Sequence, residues 1–227
     1  CAATGPAPGA NAAGAGHPPV PVGETSPGAP AFPADPAAAA DSAGGRPPAQ
    51  PVDFLWVTRT ALVSRPEIAR VVERARAMGV RGLLVQVVGR GDAWYRSERL
   101  PRPEALGRAP ADFDPLAEVL ALARPAGLEV HAWINCALVL SADGTPSDAR
   151  HVARAHPEWF AALPGGRSLL RARPAGWRRL GIEGAYLSPS NAGVREWIAA
   201  NAAEIAWAYA VDGIHLDYIR TPGVDAG

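Results

Sequence analysis

The sequence VDGIHLDYIR, residues 211–220, decides the fold of this part of the chain. After Gly213 the side chains alternate: Ile214 and Leu216 fall on one face of an extended strand, and His215 and Asp217 fall on the other. Strands of a parallel sheet are normally apolar on both faces, so polar residues on one face near the strand end indicate a site. The stretch predicts a strand that presents His215 and Asp217 to a cleft and Ile214 and Leu216 to helices.

Three further strand patterns precede this stretch, and helical patterns separate them. The strands are FLWVTR at 54–59, LLVQVV at 83–88 and LEVHAWIN at 128–135. The first helix begins at Ser64, which forms a capping box with Glu67, and ends at Gly79. The second begins at Asp114, with Pro115 in its first position, and ends at Pro125. Ser190 or Asn191 caps a third long helix.

The alternation of strands and helices predicts a parallel sheet with right-handed crossovers. The pattern is that of the N-terminal half of a (β/α)₈ TIM barrel, with strands one to four in residues 52–227. A complete barrel needs about 250 residues, so we expect the remaining strands beyond Gly227. A small open doubly wound sheet is the alternative, but no glycine-rich dinucleotide fingerprint follows the first strand.

A connection of about 50 residues joins the third and fourth strands, longer than compact domains usually contain. It includes the sequences HPEWF and YLSPSN, and we expect a short helix that ends before Pro157. Connections of this length are usually functional or partly helical.

Residues 1–51 have a different composition from the rest of the chain. The first 50 residues contain 16 Ala, 11 Pro and 8 Gly. Such a segment buries too little apolar surface to offset its ordering entropy, so we predict a disordered Pro/Ala/Gly-rich tether. Cys1, followed by small residues, is typical of a processed bacterial lipoprotein, although a chain may simply begin at a cysteine. The lipoprotein interpretation predicts an envelope protein outside the cytoplasm that contacts the membrane through its anchor only.

Composition excludes several function classes. The formal net charge is zero, which gives no footprint for nucleic acid. All 22 basic residues are arginine, so lysine Schiff-base chemistry is excluded in this segment. No apolar run reaches about 18 residues, and the two cysteines imply no disulfide framework. Cys136 is expected to be a small buried residue.

Polar and aromatic residues collect at the predicted strand ends, where barrel enzymes have their active sites. The candidates are Arg59 at the end of the first strand; Gln86, Arg90, Asp92 and Tyr95 on and after the second; His131, Trp133 and Asn135 on the third; and His215, Asp217 and Tyr218 on the fourth. Such side chains suit a polyhydroxylated ligand, because they offer directional hydrogen bonds and flat apolar faces. Glycoside hydrolysis needs two carboxyl groups, and Asp217 is the best-placed candidate for one.

Several of these residues also have structural interpretations. Asp217 could accept hydrogen bonds from Arg220 or from backbone amides, and Asp92 could hold Arg90 in a turn. The two histidines could be core residues, and Trp133 could fill the barrel. No HxH pair on the first strand and no HExxH motif is present, so neither a metal nor another cofactor is expected.

The motifs together resemble the glycosyl-hydrolase-like 10 family of bacterial envelope proteins, which are often lipoproteins. The resemblance covers residues 52–222 and rests on FLWVTR, LLVQVVGRGDAWY, FDPLAEVLALARPAGLEVHAWIN, HPEW, YLSPSNAGVREWI and VDGIHLDYIR, in this order. It implies a TIM barrel that acts on glycans, with peptidoglycan glycan strands as the natural substrate. It also implies that Asp217 is an active-site carboxylate and that Arg90, Asp92, His131, Trp133 and Asn135 are cleft residues.

The chain departs from the family pattern at two positions. Many members have a second acid directly after the position of Asp217, where this chain has Tyr218. A proline commonly follows the third-strand asparagine, where this chain has Cys136. We therefore expect the second carboxylate beyond Gly227 and this segment to be inactive alone. A carbohydrate-binding envelope protein without catalysis is the alternative function, and a metal-dependent barrel hydrolase is a third.

Overall fold

The structure, a computed structural model, describes residues 54–141, 146–163 and 165–222. The predicted tether and the lipidation of Cys1 lie outside these residues. The described ranges contain six strands, five helices and three short 3₁₀ turns. The strands are β1 (Phe54–Val57), β2 (Gly82–Val88), β3 (Glu129–Asn135), β4 (Leu138–Leu140), β5 (Ala185–Tyr186) and β6 (Gly213–Asp217). The helices are α1 (Arg65–Met78), α2 (Pro115–Ala123), α3 (Val152–Ala155), α4 (Leu169–Arg179) and α5 (Ala192–Ala208).

The main sheet has four parallel strands in the order β1-β2-β3-β6. Each strand pairs with the next predicted strand of the barrel, and helices occupy the crossovers between them. This arrangement confirms the predicted α/β fold, with the strand order of the first half of a (β/α)₈ barrel. The first strand ends at Val57, earlier than predicted, because residues 59–61 form a 3₁₀ turn that begins with Arg59.

Helix ends follow the predicted capping signals. The Ser64 hydroxyl accepts the Glu67 N–H, and the Asp114 carboxylate accepts the Ala117 N–H. Only half of the predicted capping box forms, since the Glu67 carboxylate pairs with Arg70. Gly79 ends α1 in the left-handed conformation with φ 67°. Of the two candidates for the cap of α5, Asn191 is the one that accepts a helix N–H, from Gly193 at 2.8 Å.

The long connection contains structure beyond the predicted short helix. Strands β4 and β5 form a separate antiparallel pair, and α4 lies between α3 and β5. Helix α4 includes Pro174, which removes a helix hydrogen bond and obscures the helical pattern in the sequence. The predicted short helix is confirmed as α3 followed by a 3₁₀ turn at Pro157–Trp159.

The two faces of the main sheet differ in chemistry. The outer face is apolar and buried in one core with α1 and α2. Its fully buried members include Leu83, Val85, Val130 and Ala132. Leu216 was expected on this face among the helices, but 42% of its surface is exposed because β6 is an edge strand of the described sheet. The opposite face carries the polar and aromatic residues.

No helix in the described ranges has the length and apolar character that a bilayer crossing requires.

Gly184 tests the packing of the β4–β5 pair. A Cβ at Gly184 would lie 1.7 Å from the carbonyl oxygen of Leu140, so an alanine there must push the backbone apart. We expect Gly184→Ala to lower the free energy of unfolding by about 2–3 kcal/mol. Chemical denaturation measures this loss.

Gly127→Ala is the matched control. Gly127 has φ 74° and no atom within 4 Å of an added Cβ, so only backbone strain is introduced. We expect a loss of about 1 kcal/mol. Equal losses for the two variants would contradict the close approach of Gly184 to Leu140.

Candidate active-site cleft

The register of the parallel strands brings the predicted residues together at one edge. Gln86 lies opposite Trp133, which lies opposite His215, and Asn135 lies opposite Asp217. All five side chains are on the non-helical face, as the strand alternation predicts. Parallel strands end at the same edge of the sheet, so this edge forms the floor of a cleft.

Two N–H groups hold the Asp217 carboxylate. The Trp133 indole Nε1–H donates to Asp217 Oδ2 at 3.1 Å, and the Tyr218 backbone N–H donates to Asp217 Oδ1 at 2.7 Å. Arg220, which the sequence offered as a possible partner of Asp217, forms an ion pair with Glu183 at 3.2 Å instead. The carboxylate is therefore partly buried and fixed in orientation, with lone pairs left on both oxygens.

Three aromatic rings form one cluster on this face, which we call the aromatic corner: Trp56, Trp133 and His215. Trp133 is the member that donates to Asp217. Trp56 meets Trp133 edge to face with ring centroids 4.8 Å apart, and it meets His215 in the same way at 5.0 Å. Trp133 is almost fully buried, whereas 51% of Trp56 is exposed. Trp56 therefore offers an apolar surface to a ligand on the cleft face of the sheet.

Tyr218 follows the carboxylate in a strained backbone conformation. Its φ is 50°, and it is the one non-glycine residue with positive φ in the described ranges. The Arg220 guanidinium lies over the rings of both Tyr186 and Tyr218, at 5.5 and 5.0 Å from their centroids. Glu183 binds this guanidinium and also accepts the Tyr186 hydroxyl. These contacts hold the backbone turn that directs Asp217 into the cleft.

Arg59 and Gln86 lie at the ends of β1 and β2 and bind each other. The Gln86 Oε1 accepts the Arg59 backbone N–H at 3.3 Å and the Arg59 Nη1–H at 3.1 Å. Gln86 is buried, so it orients the arginine rather than facing solvent itself. The Arg59 side chain passes over Gly89, where an added Cβ would lie 2.4 Å from Arg59 Cδ.

The loop after β2 carries Arg90 and Asp92 in a fixed turn. Asp92 Oδ1 accepts the Arg90 backbone N–H at 3.0 Å. Asp92 therefore holds Arg90 in the turn, which is the structural interpretation that the sequence offered for Asp92. Gly91 has φ 75° and leaves no room for a Cβ beside His151. The His151 Nε2 lies 2.6 Å from the Arg90 carbonyl oxygen, and its Nδ1 accepts the Ala153 N–H. His151 was not among the site residues predicted from the sequence.

Protonation of His151 is fixed by these contacts. Since Nδ1 accepts a hydrogen bond, Nε2 carries the proton and donates to the Arg90 carbonyl. Burial lowers the pKa of His151 below its usual 6.5, and the hydrogen bond to the Arg90 carbonyl opposes this shift only in part. Neutral His151 therefore supports the loop that carries Arg90.

A cavity of about 340 Å³ opens beside this loop. It is lined by Arg59, Arg90, Asp92, Trp94, Pro101, Arg102, Pro103, Glu104, Ala105, Leu140, Ser141, Pro146, Ser147, Asp148 and His151. The Arg90 side chain donates to Ser141 Oγ and to the Gly89 carbonyl. Burial lowers the pKa of Arg90, and repulsion by Arg59 adds to the effect.

Three predicted residues lie apart from the open cleft, namely His131, Asn135 and Tyr95. His131 lies nearer the amino end of β3, where it meets Glu129 at 3.4 Å and the edge of Phe54. Asn135 is fully buried, and its Nδ2–H donates to the Gly89 carbonyl at 3.0 Å. Asn135 therefore supports the loop after β2 from below.

Tyr95 also has a structural environment. It is buried, and its hydroxyl donates to Glu204 of α5 at 2.9 Å. Glu204 also accepts from the Ser97 hydroxyl and the Glu98 N–H, so it ties the loop after β2 to α5. Burial, followed by the charge of Glu204, raises the pKa of Tyr95. The sequence offered no signal for this pairing because the residues are far apart along the chain.

Cys136 is fully buried directly after β3, as predicted. Its backbone N–H donates to the Asp217 carbonyl at 2.8 Å. Burial, with a smaller effect from Asp217, raises the pKa of its thiol to about 12. The thiol therefore stays protonated at neutral pH and is no nucleophile there.

Within the residues that the structure describes, no cluster of three or more His, Cys, Asp or Glu side chains has the arrangement of a metal site.

A strand-end cleft with a fixed carboxylate and flanking aromatic rings is typical of carbohydrate-active barrel proteins. The family model described as "Glycosyl hydrolase-like 10" matches residues 54–226, and the chain belongs to this family.

Curated relatives agree with this assignment. The chain is 28% identical over 169 residues to glycosyl hydrolase YngK of Bacillus subtilis, covering 72% of this chain and 29% of that protein. It is 27% identical over 220 residues to glycosyl hydrolase DigH of Escherichia coli, covering 80% of this chain and 46% of that protein. The chain thus spans less than half the length of these curated relatives.

A solved structure shares the fold. It is a hypothetical protein from Ruminiclostridium thermocellum, with a TM-score of 0.52 and 20% identity. The similarity covers 74% of this chain and 78% of that chain.

The environment of His151 predicts a dependence of stability on pH. The pKa of His151 is lowered in the folded state, so the unfolded chain binds the proton more readily. The neutral histidine therefore contributes its full stability above the unfolded pKa of 6.5, and this contribution falls as the pH drops below that value. We expect the free energy of unfolding to decrease between about pH 7 and pH 5.

His151→Asn is expected to remove most of this decrease, because asparagine can accept the Ala153 N–H without titrating. His156→Asn is the control, since 42% of the His156 side chain is exposed, and it should retain the decrease. Denaturant unfolding at several pH values measures both. A wild-type pH dependence in His151→Asn would contradict the structural role of neutral His151.

Proposed function

We propose that this chain contributes part of the active site of a glycoside hydrolase, with Asp217 as a catalytic carboxylate. The observation that carries the proposal is the Asp217 carboxylate at a strand end, held in one orientation by the N–H groups of Trp133 and Tyr218. Membership of a glycosyl-hydrolase-like family supports the reaction class.

The contacts of Asp217 suit a nucleophile or general base. Each of its oxygens accepts a hydrogen bond from an N–H group, and in neither contact does the carboxyl group act as a donor. A carboxylate held in one orientation attacks an anomeric carbon, or activates a water, with little loss of orientational freedom. The general acid would be a second carboxyl group at about 5–10 Å from Asp217.

We propose that the second carboxyl group comes from the complete protein beyond the residues described here. The curated relatives are more than twice as long as the matched region, which leaves room for further strands. Asp92, the other acid at these strand ends, is engaged with the Arg90 backbone N–H.

The proposed substrate is a bacterial envelope polysaccharide, namely peptidoglycan glycan strands. Aromatic rings stack on the apolar faces of sugar rings, and Arg59, Arg90 and His215 offer donors to hydroxyl and amide groups. An envelope location, with a lipid anchor at Cys1 and the tether of residues 1–51, belongs to the same proposal. The composition of residues 1–51 supports it.

One observation favours the alternative of a binding protein without catalysis. Tyr218 follows Asp217, and its ring packs under Arg220 where many members of the family have a second acid. Such a protein would retain the aromatic corner and bind glycan strands without cleaving them.

Replacement of Asp217 separates the two functions. In the complete protein we expect Asp217→Asn to lower the release of reducing ends from glycan strands by about 10²–10⁴-fold, because the nucleophile or base is lost. Asp112→Asn is the matched control, since this acid is exposed on the loop before α2. Unchanged turnover in Asp217→Asn would remove Asp217 from the mechanism, and no turnover in the wild type would favour the binding protein.

The Trp133 indole N–H tests how the carboxylate is oriented. Trp133→Phe keeps an aromatic ring but removes the donor to Asp217 Oδ2. We expect kcat to fall about fivefold with little change in KM, since one net hydrogen bond is worth about 1 kcal/mol. Trp207→Phe, on the exposed side of α5, is the control. A rise in KM at constant kcat would assign Trp133 to substrate binding instead.

A further inference from the structure

The cavity beside the loop after β2 has a chemistry of its own, and we call it the arginine cavity: the space between Arg59, Arg90, Ser141 and His151. Its volume of about 340 Å³ accommodates a small polar group rather than a whole glycan strand. It lies at the ends of β1 and β2, whereas Asp217 lies at the end of β6. A ligand that reaches both places extends along the strand-end edge of the sheet.

Among the residues that the structure describes, both guanidinium groups keep N–H donors without an acceptor. A guanidinium has five N–H groups. Arg59 uses one of them for Gln86, and Arg90 uses one for Ser141 and one for the Gly89 carbonyl. Within the described ranges, neither arginine forms an ion pair with an acid, while five other arginines do. Most of the donors in the arginine cavity therefore have no acceptor among the described residues.

The acids that line the cavity are engaged with other groups. Asp148 pairs with Arg150 at 2.9 Å, and Asp92 accepts the Arg90 backbone N–H. Glu104 accepts the Ser147 hydroxyl at 3.1 Å. None of these three carboxylates forms an ion pair with Arg59 or Arg90.

The two arginines are held in place before any ligand arrives. Buried Gln86 fixes Arg59, and Ser141 and Gly89 fix Arg90. His151 and Asp92 hold the backbone of Arg90 from opposite sides. Donors fixed in advance lose little conformational entropy on binding, so they favour a specific partner.

Bringing the two cations together in a partly buried cavity costs free energy. The lowered pKa of Arg90 reflects this cost, which arises first from burial and then from Arg59. A bound anion would remove the repulsion and satisfy the free N–H groups at the same time.

We propose that the arginine cavity binds the carboxylate of an acidic sugar unit in the glycan, with Arg59 and Arg90 as its donors. The proposal rests on the proposed function, and it identifies the substrate as an acidic glycan. A carboxylate presents two oxygens that match the fork of N–H donors on a guanidinium.

A binding experiment on the complete protein tests the assignment. Peptide-free glycan strands that contain N-acetylmuramic acid are compared with the same strands after reduction of their carboxyl groups to alcohols, in an Asp217→Asn background that prevents turnover. We expect calorimetry to show at least about tenfold tighter binding of the carboxylated strands, with a preference that weakens at high salt. A sugar phosphate serves as the competitor.

Variants assign the preference to the cavity. Arg90→Gln should abolish the preference for the carboxylated strands over the reduced strands, and Arg90→Lys should retain part of it because the charge remains. Arg74→Gln, on exposed α1 at the opposite face of the sheet, should retain the full preference. Unchanged melting temperatures confirm that the variants fold.

The outcomes separate this inference from the proposed function. Equal binding of both strands, or a retained preference in Arg90→Gln, overturns the carboxylate site. Stronger competition by the sugar phosphate also overturns it. If the wild type cleaves both strands equally well, the inference fails while the proposed function stands. If it binds the carboxylated strands selectively but cleaves neither, the hydrolase proposal fails while the site stands.

Discussion

The register between β3 and β6 is the constraint on which the cleft depends. These strands pair Trp133 with His215 and Asn135 with Asp217, and the pairing continues beyond the strand as Cys136 and Ala137 donate to the carbonyls of Asp217 and Tyr218. A slip of one residue would turn every side chain of β6 to the opposite face. The indole of Trp133 would then lose Asp217, and Ile214 and Leu216 would face the cleft.

The continuation of this pairing also explains the strain at Tyr218. Two backbone hydrogen bonds hold the chain after β6, while the ring of Tyr218 packs under Arg220. A left-handed conformation at a tyrosine costs about 1–2 kcal/mol, and the surrounding contacts must supply it. In return, the Tyr218 N–H points back to the Asp217 carboxylate. The strained turn at Tyr218 therefore also orients the Asp217 side chain.

The sequence predicted those features that depend on local patterns. Alternation within β3 and β6 predicted which side chains share a face, and the caps at Ser64 and Asp114 predicted where α1 and α2 begin. The β4–β5 pair escaped prediction because its strands are short and are separated by more than 40 residues. Helix α4 escaped because Pro174 interrupts its pattern.

The residues of the candidate site also fall into those that the sequence predicts and those that it does not. Its strand residues were predictable from alternation, but the burial of Tyr95 and Asn135 depends on partners distant in sequence, Glu204 and Gly89. The role of His151 could not be predicted, because a single histidine in a long connection belongs to no helical or strand pattern.

The Gly89 carbonyl connects the two halves of the cleft. It accepts Asn135 from β3 and Arg90 from its own loop. Asn135 in turn lies beside Asp217 in the sheet. Asp217 and Arg90 are therefore linked through the Asn135 side chain and the Gly89 carbonyl.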